Sequence, residues 1–561
     1  MKKPLPRLIL ALAALLAPVS VPVSVHAQGM VTSADPRATE AGQEILRAGG
    51  TATDAAMAMM LALTVVEPES SGIGGGGFLV HNDGKTNFVE TIDGREKAPM
   101  AATAQRFVGA DGQPMPFFQA FPGGKSVGVP GNIRLMALAE KKWGKLPWKQ
   151  LFAPAIRLAE GGYTVTRPLA AMSSAASQLW GDFPVIAKQY STNGKPLEIG
   201  QTIKNPALAK TLKMLAARGP DAFYTGDNAK ALLAAATGAK INPSDMTAAD
   251  LTAYQAKERP AVCGMYRVYK ICGMGPPSAG ATTVIGVLTM LERFDMAKLG
   301  KDSPVAWHLI GEAMRLVYAD RDTYMADRDF IDVPVAGLVD PAYLKRRSGL
   351  ISPKSSLGSY IAGNPPGAPA RTRAPSSEVP ATTHFIAVDG NGDIATMTST
   401  VEGPFGSQLL ANGYVLNNEL TDFTFAPEKD GAPVANRVQG GKRPLSSMAP
   451  TIVYKDDVPV FIVGAAGGRT IPMQVLKTLV AHLDWGLSAA DALAEPVLFY
   501  NKDGLVVERG TRLEAMIPEL EKLGQKVTAS SLPLKANAAE KTATGWVGAP
   551  DPRSVGTALN Q

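Results

Sequence analysis

The stretch TTHFIAVDGNGDIATMTSTV, residues 382–401, reads as two strands around a tight turn. Residues 382–389 and 394–401 are rich in Thr, Ile and Val, which suit a pleated, largely buried surface. Gly390-Asn-Gly392 between them is a turn signal. A three-residue hairpin loop with Gly392 in the left-handed conformation fits this spacing. In that register Thr382 faces Thr400; a two-residue loop shifts the partners by one. Either way, two threonine hydroxyls stand side by side or nearly so.

What precedes the hairpin is different in kind. Residues 353–381 are dominated by Ser, Pro, Gly and Ala and end in RTRAPSSEVPA, residues 371–381. The composition predicts an exposed, irregular linker, with regular structure resuming at Thr382. A flexible, Pro-containing segment is what a cleavable junction requires.

The chemistry open to the chain narrows quickly. Outside the first 27 residues there are four histidines, His81, His308, His384 and His482, with no HExxH and no clustered spacing, so metal catalysis is unpromising. Gly124-Lys-Ser-Val-Gly128 matches GxSxG formally, but it runs into Val129-Pro-Gly131, where the helix required after a serine nucleophile is missing. Gly72-Ile-Gly-Gly-Gly-Gly77 contains GxGxxG, but it leads into a strand at 78–81, whereas a dinucleotide fingerprint opens a helix. It reads instead as a run where backbone approaches backbone or ligand closely. An N-terminal nucleophile remains. A threonine hydroxyl needs a base, and a free α-amino group, with a pKa of roughly 7.7–8.0, is one. Cleavage before a threonine supplies base and nucleophile together, with no histidine.

Composition sets the frame. The 561 residues are 45% hydrophobic and 19% charged, ordinary for a globular protein with a large core. Lys2, Lys3 and Arg7, the apolar run 8–18 and Val25-His-Ala27 read as a secretory leader covering residues 1–27, too short in its apolar part to span a membrane. The lysine-rich start points to bacterial export and a periplasmic or secreted destination. Without those three cations the formal net charge drops from +6 to +3, too weak to indicate nucleic acid or an acidic membrane. The two cysteines, Cys263 and Cys272, lack the partners of a zinc site; across a hairpin at 262–271 they either pair in an oxidising compartment or remain buried thiols. Helices are predicted over 38–47, stopping at Gly49-Gly50, over 53–66, capped by Thr51 or Thr53 and apolar nearly all round, and over 306–324.

Ala381-Thr-Thr-His-Phe385 resembles the processing site of the γ-glutamyltranspeptidases. Further motifs run in that family's order: GIGGGGF at 72–78, DGREKA at 93–98, VGVPG at 127–131, NNELTDF at 417–423, KRPLSS at 442–447, GAAGG at 464–468 and DPR at 551–553. The resemblance implies an α/β fold, the four-layer αββα sandwich of the N-terminal-nucleophile hydrolases. It implies a precursor that splits itself into a large subunit, 28–381, and a small subunit, 382–561, intertwined in one globule. It implies no cofactor and no metal. The partners implied are glutathione and other γ-glutamyl compounds, with an amino acid or dipeptide as acyl acceptor, and no nucleic acid or stable membrane insertion.

By the same resemblance Thr382 is the nucleophile, Thr400 orients it, and Gly467 and Gly468 form the oxyanion hole. Arg95 grips the substrate α-carboxylate with help from Ser446 and Ser447. Glu419 and Asp422 hold the α-ammonium. Glu402 stands where many members carry Asn, making that end more acidic. The loop between Asp422 and Ser446 is shorter than in members with a full lid over the site, leaving the acyl-enzyme more open. Two other readings compete: an acylase of the same fold acting on glutaryl or β-lactam side chains, and an inactive, unprocessed binding protein of the envelope.

Overall fold

The computed structural model describes residues 29–376, 378–379, 381–501 and 504–561; the leader read over 1–27 lies outside them. Thirteen strands in chain order build two large sheets: β1 Met30–Ser33, β2 Gly76–Asn82, β3 Val89–Asp93, β4 Lys257–Arg259, β5 Val262–Tyr266, β6 Tyr269–Gly273, β7 Ala381–Val388, β8 Ile394–Glu402, β9 Thr451–Lys455, β10 Val458–Ala466, β11 Lys535–Thr542, β12 Gly545–Pro550 and β13 Thr557–Asn560. One sheet has the order β13-β1-β7-β8-β2-β3-β4, the other β12-β11-β10-β9-β6-β5. Neighbours in both are antiparallel.

Side-chain alternation along β7 makes the layers. Phe385 and Ala387 face one core, Ile386 and Val388 the other. The first core joins the outer face of the seven-stranded sheet to helices α1 Pro36–Arg47, α2 Ala52–Val66 and α3 Asn132–Trp143. The second fills the space between the sheets and continues to α4 Gly280–Leu291, α5 Pro304–Tyr324 and α6 Ile471–Leu483 on the far face of the six-stranded sheet. Helices, sheet, sheet, helices: the fold is the four-layer αββα sandwich.

Local signals explain the helix ends. Thr51 caps α2 in a reciprocal capping box with Asp54, and all fifteen residues of the helix are buried. Proline occupies the first turn of α1 and α5, two residues ahead of each start read from sequence. The glycines at 76–77 open β2 itself, which therefore begins before Phe78.

Cys263 and Cys272 face each other across β5 and β6 and are joined as a disulfide. Among the described residues no helix is long and apolar enough to cross a membrane. Among its described residues the segment before β7 contains no helix or strand, as its composition predicts, but its end departs from the exposed linker expected. Ser376 is buried and the Glu378 carboxylate is only 4% exposed. The cause is a row of cations: Arg469 donates to the Ser376 carbonyl and Arg321 pairs with Glu378.

Candidate active site

The β7–β8 hairpin aligns Thr382 with Thr400, the register of the three-residue loop. The pairing then slips. Ala381 lies opposite Glu402, so Val401 is extra and a bulge sits at the Ala381–Thr382 bond. Bulges re-aim side chains. Glu402 pays for the irregularity with a left-handed φ of 77°, a conformation uncommon for a residue that is not glycine, asparagine or aspartate. The Thr382 hydroxyl lies 3.3 Å from that of Thr400. The Thr400 hydroxyl donates to the Ala381 carbonyl at 2.9 Å and accepts the Glu402 N–H at 2.8 Å. The carbonyl that Thr382 would attack in self-cleavage is thus already hydrogen-bonded.

The glycine run of 74–76 explains how β8 is held there. A side chain on Gly75 would put its first carbon 1.9 Å from the Thr400 carbonyl oxygen, and one on Gly74 would lie 2.0 Å from that of Val415. Close backbone approach is therefore its role, as expected. Asn417 links three of the sequence motifs: its amide donates to the Gly74 and Gly128 carbonyls, and its oxygen accepts the Glu419 N–H.

Gly467 and Gly468 follow β10 with φ of 131° and 56°, both positive, and lead through a short 3-10 turn into α6. Their N–H groups therefore stand at the amino-terminal end of a helix, where partial positive charge gathers. Gly468 lines the same small space as Thr382 and Thr400.

The far end of that space is charged. The Arg95 guanidinium, 1% exposed, pairs with Glu419 and with Asp422, the latter at 2.5 Å, and donates to the Pro444 and Leu445 carbonyls. Burial opposes its charge, but Glu419 and Asp422 more than compensate and raise its pKa. Burial pushes the carboxyls of Glu402, Glu419 and Asp422 well up, with neighbouring acids adding to the effect. Four acceptors thus occupy an arginine expected to grip a ligand carboxylate, and three acids share the expected ammonium end. Ser446 accepts the Met448 N–H. Ser447 accepts from Arg321 at 2.8 Å.

The ten residues singled out in the sequence converge here: all but Gly467 line the one cavity, and Gly467 adjoins Thr382 in a second. Sequence reasoning missed Glu378, Val379 and Arg321. Glu378 and Val379 line the cavity as well, and the Val379 N–H donates to Glu402. Their carbonyls stand where a side chain on Gly468 would come within 3.1 Å. What remains is about 20 Å³, room for about one water. The signal for Arg321 was present: a helix buried on every side that still carries Asp320-Arg-Asp322 must pair those charges. The Asp551-Pro-Arg553 motif lies outside the lining; Arg553 pairs with Asp551 and Glu508.

A central hairpin carrying the threonine pair inside an αββα sandwich defines the N-terminal-nucleophile hydrolase class. The closeness to a solved member is direct: cephalosporin acylase from Bacillus halodurans superposes with a TM-score of 0.83 at 26% identity, covering 97% of this chain and 99% of that one. The γ-glutamyltranspeptidase family model matches residues 38–560. A glutathione hydrolase proenzyme of Bacillus subtilis (strain 168) is 39% identical over 490 residues, 85% of this chain and 82% of the relative. One from Escherichia coli (strain K12) is 36% identical over 543 residues, 94% and 91% of the two chains. The chain belongs to the γ-glutamyltranspeptidase family.

Proposed function

We propose that this protein is an exported γ-glutamyl hydrolase and transferase that cleaves itself before Thr382 and then uses that threonine on γ-glutamyl amides such as glutathione. One observation carries the proposal: the Thr382 hydroxyl lies beside Thr400, whose own hydroxyl donates to the Ala381 carbonyl. In processing, Thr382 Oγ1 attacks that carbonyl carbon, the acyl group shifts from nitrogen to oxygen, and water hydrolyses the ester. The residues up to Ala381 become the end of a large subunit and Thr382 begins a small one.

Release of Glu378 and Val379 from the cavity opens it. A γ-glutamyl group is a zwitterion at its α-carbon. Its carboxylate goes to Arg95, Ser446 and Ser447, and its ammonium to Glu402, Glu419 and Asp422, so opposite charges alternate through a buried space. The freed α-amine takes the proton from Oγ1 as it attacks the γ-carbonyl, and the Gly467 and Gly468 N–H groups receive the oxyanion. The amine leaves, and water or an amino acid or dipeptide resolves the γ-glutamyl ester. The leader and the oxidised cysteine pair support an oxidising destination, the periplasm or beyond.

The likeness to a cephalosporin acylase supports a second reading, in which a glutaryl-type side chain is the acyl group. Such a chain has a carboxylate but no ammonium, so it would bring no cation to Glu402, Glu419 and Asp422. Two measurements on the purified protein test the first reading. Intact mass should give a second amino terminus at Thr382, and a γ-glutamyl anilide should release its aniline where a glutaryl anilide does not. An active protein that stays continuous through Ala381–Thr382 would overturn it.

A further inference from the structure

Arg321 takes no part in the mechanism proposed above, yet it touches the site. It lies on α5, and its side chain is 1% exposed. Nη1 donates to Asp322 at 2.9 Å, Nη2 pairs with Glu378 and donates to the Ser447 hydroxyl at 2.8 Å, and Nε, buried as well, has no acceptor. Arg469, from the turn before α6, reaches the same Asp322. Two arginines thus stand against two carboxylates, Asp322 and Glu378. Arg373, which also reaches Asp322, belongs to the junction segment itself.

The two carboxylates differ in what holds them. Asp322 is part of α5, next to Arg321 in the chain, and stays. Glu378 sits in the tail that ends at Ala381, and the release proposed above takes it out of the cavity. Arg321 then keeps Ser447 and a share of Asp322. A buried cation stripped of a partner is costly, so the space beside Ser447 favours a new anion. The hydrogen bond to Ser447 gives that preference a direction. A hydroxyl has one proton to donate and two lone pairs, whereas a guanidinium only donates. With a lone pair facing Arg321, the Ser447 proton must point elsewhere, and Ser447 lines the cavity shared with Arg95 and Ser446. A donor behind the hydroxyl also polarises it and strengthens the bond it gives.

We infer that Arg321 is a positioning residue for the substrate α-carboxylate, acting through Ser447, and that self-cleavage brings it into play by removing Glu378. In the uncleaved chain its Nη2 is divided between Glu378 and Ser447. In the processed enzyme it holds Ser447 as a donor toward the cavity, and the incoming carboxylate restores the negative charge that left with Glu378. Glu378 is then a stand-in for the substrate, kept in place until the bond after Ala381 is cut. The assignment rests on the γ-glutamyl reading above, with the substrate carboxylate at Arg95, Ser446 and Ser447.

The test follows the processed protein with a γ-glutamyl anilide, reading KM and kcat separately. Arg321→Lys keeps a positive charge opposite Asp322 and Glu378, but a single ammonium replaces the fork that reaches Ser447 as well. It should raise KM about tenfold, the lower end of what a charged hydrogen bond contributes, with kcat little changed. Arg321→Gln, which removes the charge too, should raise KM further and gives a second reading. The lysine variant is also made on Ser447→Ala. Because Arg321 acts through that hydroxyl, Arg321→Lys should there add little to the KM that Ser447→Ala already shows. A merely structural role would lower kcat, or multiply KM equally in both backgrounds. A wild-type KM in both Arg321 variants, or a lysine effect that is the same with Ser447 already replaced, would overturn the inference. A wild type that releases no aniline would instead overturn the γ-glutamyl reading on which it stands.

Discussion

Thr382 is buried, 4% exposed, and its hydroxyl meets another hydroxyl rather than a histidine or a carboxylate. Nothing in that arrangement activates it for turnover until its own nitrogen becomes an amine. Thr382→Ala should therefore remain a single chain on a denaturing gel; normal processing of that variant would remove Thr382 from the mechanism. Arg95 sits among Glu419, Asp422 and two carbonyls, so a substrate bound there as proposed would share it with groups already in place. Arg95→Ala should raise the KM for a γ-glutamyl amide by the equivalent of about 1.5–3 kcal/mol, the usual contribution of a charged hydrogen bond. An unchanged KM would refute its role. The same variant should also melt lower, since it leaves buried acids without their cation.

Elements place these residues by close packing. The His384 ring projects from β7 between the sheets, with Nδ1 bonded to Thr398 and Nε2 to Thr396. Opposite it, β10 has Gly464, where an added methyl carbon would lie 2.2 Å from the ring. The ring is held at both nitrogens and has little freedom to yield. Gly464→Ala should cost about 1–3 kcal/mol, the usual range for overpacking, read as a lower Tm with the disulfide intact. Retained activity in the survivors would fall if β7 shifts, because Thr382 lies two residues before the ring on the same strand face.

At the scale of the molecule, both sheets mix the two prospective subunits. In the seven-stranded sheet β7 and β8 lie between β1 and β2, and in the other β9 pairs with β6. Scission at the proposed bond would therefore detach only Ala381 from the ladders, and the halves would stay together through main-chain hydrogen bonds across both layers. Stability should also depend on acid. Burial lowers the pKa of His81 to about 4 and of His384 to about 3, against about 6.5 in an unfolded chain. Between those values the unfolded state binds more protons, so this part of the stability is present above pH 6.5 and is lost as pH falls toward 4. The buried acids with raised pKa act in the opposite sense, so a difference between variants isolates the histidine effect. His81 stacks on Trp143 at 4.1 Å, and His81→Phe keeps a ring there without the proton. Its Tm should fall less steeply than that of the wild type between pH 6.5 and 4; parallel curves would contradict the assignment.

The hairpin, the facing of its two threonines to within one residue, the buried α2 and the close-approach role of the glycines were legible in residues 51–66, 72–78 and 382–401, because strand alternation, turn chemistry and capping act over a few neighbours. The ordered motifs carried the family and pointed to ten candidate residues that the fold brings together. Three things came only from tertiary structure. The junction segment is held down rather than loose, since Arg321 and Arg469 reach it from elements far away in the chain. Arg95 is shared among four acceptors. A second cavity meets the first at Thr382. Each depends on where charges and glycines of distant segments meet, and burial decides the strength of those meetings, which no local pattern records.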